Sequence, residues 1–223
     1  MAEKKGMFVV FEGIDGSGKD VQMELLAKHI RELDKYNEVL LAREPTHKAK
    51  KIKEALSKEK DAFSGGKRLA ELYVTGDRVP HTNELIIPVL KWGAFVLSSR
   101  YSMSTLAYQY AQGVPLNDLL KMHEKTKTLT PDLTFYLNVP FEVAKARKEL
   151  RGENLEKFER DEEFIGQLLE RYGVLVELST NNRVRNVIGL VKVINGAQEI
   201  PAVAADVRCA FDKVYDLWTR NEL

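Results

Sequence analysis

The chain has 223 residues, of which 44% are hydrophobic and 30% are charged. These values fit one globular domain that needs neither disulfides nor a structural metal to hold its core. Its 34 basic and 33 acidic residues nearly cancel, so no overall field attracts nucleic acid or an anionic membrane. The single cysteine, Cys209, excludes an internal disulfide and a multi-cysteine zinc site. Because apolar residues surround Cys209, we interpret it as a core residue.

The start of the chain is short and charged, and the apolar run at residues 7–11 is far too short to cross a membrane. There are no internal repeats, low-complexity blocks or long linkers. We therefore expect one domain over residues 1–223, in a soluble protein of a reducing compartment. The default compartment is the cytoplasm, with no membrane or nucleic-acid partner.

Short apolar runs and helical patterns alternate along the chain. A continuous apolar run is typical of a strand that is buried on both faces of a parallel sheet. The alternation predicts βαβ units, and hence an α/β fold in which helices flank a mostly parallel sheet on both sides. The predicted strands are 7–11, 38–42, 94–97, 133–137 and 190–194, and the clearest later helices are 67–91, 115–127 and 202–218. In the first helix, apolar side chains recur at helical offsets at Met23, Leu26, Ile30 and Leu33.

Polar or glycine-rich segments follow four of the predicted strands. In a doubly wound sheet, ligands bind beyond the carboxyl ends of the strands. We therefore expect these four segments to converge on one binding site.

The first of these segments is a phosphate-binding loop. Residues 13–19 fit the pattern G-x-x-x-x-G-K between a strand and a helix, which is the context that the motif requires. Such a loop points backbone N–H groups and a helix N-terminus at phosphate oxygens, and Lys19 adds a mobile charge. The predicted ATP-binding residues are Gly13, Ile14, Asp15, Gly16, Ser17, Gly18, Lys19 and Asp20.

The chain resembles the thymidylate kinase family in five segments that occur in the family's order. The first is FEGIDGSGK at residues 11–19, which resembles FEGxDGxGK. The others are REPT at 43–46 (family REPG), DRVPH at 77–81 (DRxxH), SSRYSMSTLAYQ at 98–109 (SDRYxxSxxAYQ) and PDLTFYLNVP at 131–140 (PDLTxYLDVP). The resemblance covers about residues 7–196, and the five segments together are specific.

The resemblance implies a three-layer P-loop NTPase fold and a homodimer. It also implies the Mg²⁺-dependent transfer of the γ-phosphate of ATP to dTMP, which gives dTDP and ADP. Arg78 and Arg100 would hold the acceptor nucleotide, with Arg43 near its phosphate. Asp15 would accept a hydrogen bond from the 3′-hydroxyl, and Tyr108 would lie at the 2′ edge of the sugar. The full implied acceptor set is Asp15, Arg43, Glu44, Arg78, Arg100, Tyr101, Thr105, Tyr108 and Gln109.

A basic stretch at about residues 147–160 corresponds to the family's mobile lid, which closes over ATP and excludes water. Some family members carry an arginine in the phosphate loop immediately after the aspartate, where this chain has Gly16. The lid must then supply the catalytic cation. Arg151 is the preferred candidate and Arg147 the second, so the predicted catalytic residues are Lys19, Arg100 and Arg151.

Besides Thr46 of REPT, the chain departs from the family pattern at four positions. Asp20 replaces a hydroxyl residue, Ser99 replaces an aspartate, and Asn138 replaces the aspartate of LDVP. The first two can be one exchange that preserves the magnesium ligands, since hydroxyl and carboxylate have traded places. Val74 stands where the family often has a phenylalanine that stacks on thymine, which makes the base preference less secure than kinase activity.

Two alternatives therefore stay open. A kinase for another deoxynucleoside monophosphate is favoured by Val74, and a non-catalytic nucleotide-binding protein by Asp20, Ser99 and Asn138. A nucleic-acid-binding module is the least favoured, because the chain lacks net charge and interleaved aromatic and basic residues.

Overall fold

The computed structural model describes residues 6–155, 157–220 and 222. Its centre is a parallel five-stranded sheet in the order β2-β3-β1-β4-β5. The strands are β1 Phe8–Glu12, β2 Val39–Arg43, β3 Phe95–Ser99, β4 Leu133–Asn138 and β5 Leu190–Asn195. The predicted α/β fold with its mostly parallel sheet is confirmed, and all five strands lie within two residues of their predicted positions.

Helices fill the connections between strands. They are α1 Lys19–Leu33, α2 Lys50–Lys58, α3 Gly66–Glu71, α4 Val79–His81, α5 Ile87–Lys91, α6 Ser102–Ala111, α7 Leu116–Thr126, α8 Phe141–Leu150, α9 Glu162–Glu177, α10 Asn182–Ile188 and α11 Ile200–Thr219. Two 3₁₀ turns, Phe158–Arg160 and Leu178–Thr180, flank α9. Among the described residues, no helix is both long and apolar enough to span a membrane.

The helix predicted at 67–91 is continuous over residues 66–91, here called the central helix, but it is not uniformly α-helical. Two π-helical stretches, Leu72–Arg78 and Thr82–Ile86, separate α3, α4 and α5. Pro80 and Pro88 each follow a π stretch by two residues, and proline has no N–H for the regular helical hydrogen bond. Such π stretches often occur at functional sites, and Arg78 is the last residue of the first one.

Alternate residues of β1 pack into different layers, as the two-residue period of a strand requires. Val9 and Phe11 join the apolar cluster under α1 and α11. Phe8 and Val10 pack on the opposite face, with Val96 and the ring of Tyr101. A third cluster joins α6, α7, α9 and α10.

The interpretation of Cys209 as a core residue is wrong, because its side chain is exposed. The buried side of α11 is formed by Val203, Ala204, Val207, Phe211 and Val214. Cys209 comes two residues after Val207, so the helical turn places it on the solvent side.

Pairing in register brings the ends of the strands to one edge of the sheet. Ser99 of β3 lies between Phe11 of β1 and Arg43 of β2. Asn138 pairs with Asn195 on the other side. The segments that follow these strands therefore meet at the same edge, as the sequence predicts.

Replacing Phe11 with alanine tests the central position of β1. The ring is fully buried and contacts Phe135, with 5.1 Å between ring centroids. The resulting cavity should lower the free energy of unfolding by about 3–5 kcal/mol. Urea unfolding provides the measurement. Tyr36→Ala is the control, because Tyr36 is 76% exposed and its loss should change that free energy by only about 0.5 kcal/mol. Equal losses in the two variants would contradict this view of the core.

Candidate active site

The phosphate loop joins the end of β1 to the first turn of α1. Gly13, Gly16 and Gly18 all have positive φ angles, of 140°, 81° and 92°, which L-residues rarely adopt. Gly16 also lies against α8, since a Cβ atom at this position would be 2.5 Å from the carbonyl oxygen of Ala144. A side chain therefore does not fit at position 16, and the loop cannot carry an arginine there.

Lys19 is buried and is held by the loop itself. Its Nζ donates to the carbonyl oxygens of Gly13 and Ile14, at 3.0 and 2.8 Å, and lies 3.8 Å from Oδ1 of Asp15. Burial and the nearby Arg100 guanidinium lower the pKa of Lys19 to about 7, and the Asp15 carboxylate offsets this only in part. A phosphate bound in the loop would stabilise the charged form of Lys19.

Arg100 connects the phosphate loop to α6. Its Nη2 donates to Oδ1 of Asp15 at 2.6 Å and to the hydroxyl of Tyr108 at 3.3 Å, while its Nη1 donates to Ser104. The residue has a φ of 67°, which is uncommon for a non-glycine residue and often marks a functional site. Three predicted site residues, Asp15, Arg100 and Tyr108, are therefore in direct contact.

Asp15 is a carboxylate at neutral pH. Burial alone would raise its pKa, but Arg100 and Lys19 outweigh burial and hold that pKa well below the usual range. Burial raises the pKa of the Tyr108 hydroxyl, so this group stays protonated. Asp15 can therefore accept a hydrogen bond from a ligand hydroxyl but cannot serve as an acid.

Glu12, at the end of β1, fixes the start of α6, which follows Arg100. The sequence analysis gave Glu12 no role. Its carboxylate is fully buried and accepts from the backbone N–H groups of Tyr101 and Ser104, at 2.8 and 3.0 Å, and from the Ser104 hydroxyl. These bonds anchor the first turn of α6. The signal was present, since Glu12 belongs to the matched FEGIDGSGK segment.

The acceptor side is organised around Arg78, whose side chain is 1% exposed. Its Nε donates to Oε2 of Glu44 at 2.7 Å, and its Nη2 donates to the Tyr101 carbonyl and to Oγ1 of Thr105, at 2.8 and 2.9 Å. The guanidinium also lies over the Tyr101 ring. His81 contacts the other oxygen of Glu44. Four predicted acceptor residues, Glu44, Arg78, Tyr101 and Thr105, thus form one cluster.

Two polar atoms of the acceptor set are buried without a hydrogen-bond partner among the described residues. They are Nη1 of Arg78 and Oε1 of Gln109, a donor and an acceptor. Gln109 lies one helical turn beyond Thr105, which Arg78 contacts, and its Nε2 donates to Gln112. Buried polar groups normally have partners, so each atom is free to bond a ligand group, an acceptor at Arg78 and a donor at Gln109.

Val74 and Asn138 give less information about the site. Val74 is fully buried in the central helix, and Tyr73 beside it is half-buried. Asn138 ends β4, and its carbonyl oxygen accepts from Gly196 N at 3.0 Å. Neither observation identifies a base-stacking residue.

Asp20 and Ser99, the predicted metal ligands, lie at the same edge of the sheet, and in the described part of the chain no hydrogen bond joins them. Within the described part of the chain, the Asp20 carboxylate forms an ion pair with Arg43, which is the strand neighbour of Ser99. Ser99 itself is buried at the end of β3. No group of three or more His, Cys, Asp or Glu side chains in the described ranges could hold a metal. A magnesium ion bound mainly by phosphate and water still fits one exposed carboxylate here.

The lid candidates differ in their contacts. Helix α8 continues to Leu150, so Arg147 lies within it and donates to the carbonyl oxygens of Gly196 and Gln198, at 2.8 and 3.0 Å. Arg151 follows the helix, and its exposed guanidinium pairs with Glu153 through contacts of 2.7 and 3.0 Å. Arg147 is thus engaged in holding a neighbouring loop, whereas the side-chain partner of Arg151 among the described residues is the exposed Glu153.

The segment predicted to be the lid carries a buried ion pair that the sequence analysis did not identify. Lys148 contacts Glu159 at 2.5 Å, and both side chains are buried. Phe158, beside Glu159, packs edge-on against Tyr108. The first part of the basic stretch therefore lies in α8, and Lys148 ties it to Glu159 near the other end of the stretch.

Sequence comparisons agree with this geometry. A family model described as thymidylate kinase matches residues 11–190. The chain belongs to the thymidylate kinase family. It is 35% identical over 195 residues to a probable thymidylate kinase of Pyrococcus horikoshii, covering 86% of this chain and 93% of the relative. It is 32% identical over 212 residues to a thymidylate kinase of Thermosipho africanus, covering 93% and 98%.

A third relative of the family is more similar over a shorter region. A thymidylate kinase of Wolbachia pipientis is 41% identical over 145 residues, which is 63% of this chain and 68% of the relative.

The lowered pKa of Lys19 predicts that donor binding takes up a proton. At pH 8 and without ligand, the Lys19 side chain is mostly the neutral amine, because its pKa is about 7. A triphosphate in the loop would raise that pKa, so up to about one proton should be absorbed. Calorimetry in buffers of different ionisation enthalpy measures this uptake. Lys19→Arg should show none, because arginine is always charged. The same buffer dependence in both proteins would contradict the assignment.

Proposed function

We propose that this chain is an ATP-dependent thymidylate kinase that converts dTMP and ATP into dTDP and ADP. The observation that carries the proposal is the contact between the phosphate loop and the acceptor side of the site. Asp15 of the phosphate loop is bonded to Arg100 of the acceptor side at 2.6 Å. A donor in the loop and an acceptor beside Arg100 would therefore meet at one point.

The unpaired buried atoms support a thymine-like base. Nη1 of Arg78 offers a donor and Oε1 of Gln109 an acceptor. Thymine presents a carbonyl oxygen beside an N–H group and complements this order. Cytosine presents a ring nitrogen acceptor beside an amino group, which reverses it. A site of this kind rejects the reversed pattern, because both polar groups would stay unpaired.

In the proposed reaction, a phosphate oxygen of the acceptor attacks the γ-phosphorus of ATP, and the bond from that phosphorus to the bridging oxygen breaks. ADP leaves with the bonding electrons. Such a transfer depends on positioning and charge stabilisation more than on covalent help. Lys19 would follow the moving phosphate, and Arg100 would hold Asp15 in its ionised form. Arg151 would add charge from the lid, since position 16 has no room for a side chain.

Magnesium, a homodimer and a cytoplasmic location are part of the proposal, and the family supports them. Asp20, with Ser99 nearby, would hold Mg²⁺ together with phosphate oxygens and water. A bound magnesium ion would neutralise charge on the phosphates. We also propose that residues 1–223 form a single kinase domain whose lid lies within about 147–160.

The decisive experiment is an acceptor screen that follows ADP release with each common nucleoside monophosphate. We expect turnover with dTMP and much weaker turnover with dCMP. Turnover with only a non-thymine acceptor would identify another nucleotide kinase, and nucleotide binding without ADP would identify a binding protein. Lys19→Ala is the control, since losing this charge should lower kcat by about 10²–10³-fold without changing circular dichroism.

The lid assignment predicts different kinetics for two arginines. Arg151→Ala should lower kcat by about 10²-fold or more and leave the acceptor KM nearly unchanged, because the lost charge acts on the transition state. Arg147→Ala should mainly weaken the packing of residues 196–198, which Arg147 bonds. Steady-state kinetics and thermal melting separate the two effects. If Arg147→Ala gives the kcat pattern and Arg151→Ala does not, the role belongs one helical turn earlier.

A further inference from the structure

The ion pair between Asp20 and Arg43 joins two parts of the site that serve different nucleotides. Asp20 lies in the first turn of α1, directly after Lys19, and thus on the donor side. Arg43 ends β2, one residue before Glu44, whose carboxylate holds Arg78 on the acceptor side. Nη2 of Arg43 donates to Oδ2 of Asp20. One contact therefore spans the mouth of the site.

This pair differs in its exposure from the Arg78–Glu44 pair of the same site. The Arg43 and Asp20 side chains are 63% and 50% exposed, whereas Arg78 and Glu44 are 1% and 3% exposed. Separating a buried pair leaves charges without solvent and costs several kcal/mol. Separating an exposed pair costs little, because water replaces the partner. Nucleotides can displace the Asp20–Arg43 contact much more readily than the Arg78–Glu44 contact.

Both members of the pair have a second use if the chain is the kinase proposed above. The Asp20 carboxylate is an exposed acid beside Lys19, where a metal–triphosphate would bind, and Arg43 is an exposed arginine that directly precedes Glu44 of the acceptor cluster. The charged atoms of each group can pair fully with only one partner at a time. While Asp20 holds Arg43, the guanidinium is partly neutralised for an acceptor phosphate and the carboxylate is partly neutralised for a cation.

We propose that Asp20 is a positioning residue that couples the two nucleotide sites by exchanging partners. Without donor, Asp20 holds Arg43. When magnesium and the triphosphate bind, Asp20 turns to the cation and releases Arg43 to the acceptor phosphate. The donor complex therefore strengthens acceptor binding, and by linkage the acceptor strengthens donor binding by the same factor. A serine or threonine at position 20 could not do this, because it carries no charge to hold the arginine. The inference rests on the proposed function.

Binding measurements test the exchange without turnover. Isothermal titration calorimetry would measure the Kd of dTMP alone, and with Mg²⁺ and a non-hydrolysable ATP analogue. In the wild type, the donor complex should tighten dTMP binding about two- to five-fold, the range expected for releasing an exposed ion pair. In Asp20→Asn, dTMP alone should bind about two- to five-fold more tightly than in the wild type. The donor complex should then add little.

Removing any negative charge near the site could also favour anions, so two controls separate the explanations. Glu24→Gln removes an exposed acid one turn further along α1 and should leave the Kd of dTMP unchanged. In an Arg43→Gln background, Asp20→Asn should no longer tighten dTMP binding, because there is no arginine to release. An effect of the same size in that background would show a general field and overturn the exchange.

The remaining outcomes are also decisive. Asp20→Ser serves as a second variant if Asp20→Asn melts at a lower temperature than the wild type. Equal dTMP affinity in wild type and both variants would overturn the inference while leaving the kinase proposal intact, provided that the wild type releases ADP with dTMP. A wild type that binds neither dTMP nor the ATP analogue would overturn both proposals.

Discussion

The hydrogen-bonded ion pair between Arg100 and Asp15 is the constraint on which the rest of the site depends. It ties the end of β3 to the phosphate loop at 2.6 Å, and it needs support from both sides. Glu12 anchors the first turn of α6 behind Arg100, and Tyr108 contacts the guanidinium in front. The positive φ of Arg100 is tolerated because these contacts determine its position. The phosphate loop and the predicted acceptor residues are thus held together by a charge pair that is only partly exposed.

The same pair explains the protonation states. Arg100 lowers the pKa of both of its neighbours, keeping Asp15 ionised and contributing to a Lys19 pKa of about 7. For Asp15, the charged form is the one that accepts hydrogen bonds. For Lys19, the neutral form becomes accessible without ligand, and a phosphate restores the charge. At neutral pH the free loop therefore holds Lys19 only partly charged, and a bound phosphate would favour the full charge.

Much of this could be predicted from the sequence, for identifiable reasons. The five strands are continuous apolar runs, which is the strongest signal of a parallel sheet, and the phosphate loop has a fixed spacing. Cys209 could not be placed correctly, because neighbouring apolar residues do not show which side of a helix a residue occupies. The roles of Glu12 and of the Lys148–Glu159 pair were also missed. They arise from side-chain contacts across the fold, between residues 89 or more apart for Glu12 and 11 apart for the ion pair, and a list of matched motifs contains no such distances.

The described structure balances most cations of the site with a carboxylate, and exposure decides what each pair can do. Arg78–Glu44 and Lys148–Glu159 are buried, so they keep their partners and fix the predicted acceptor cluster and the segment predicted to be the lid. Arg43–Asp20 and Arg151–Glu153 are half-exposed, so their arginines can be released at small cost. A site that receives two polyanions needs fixed cations to define geometry and released cations to supply charge. Burial separates the two kinds in this chain, and Asp20 therefore does not by itself indicate a lost activity.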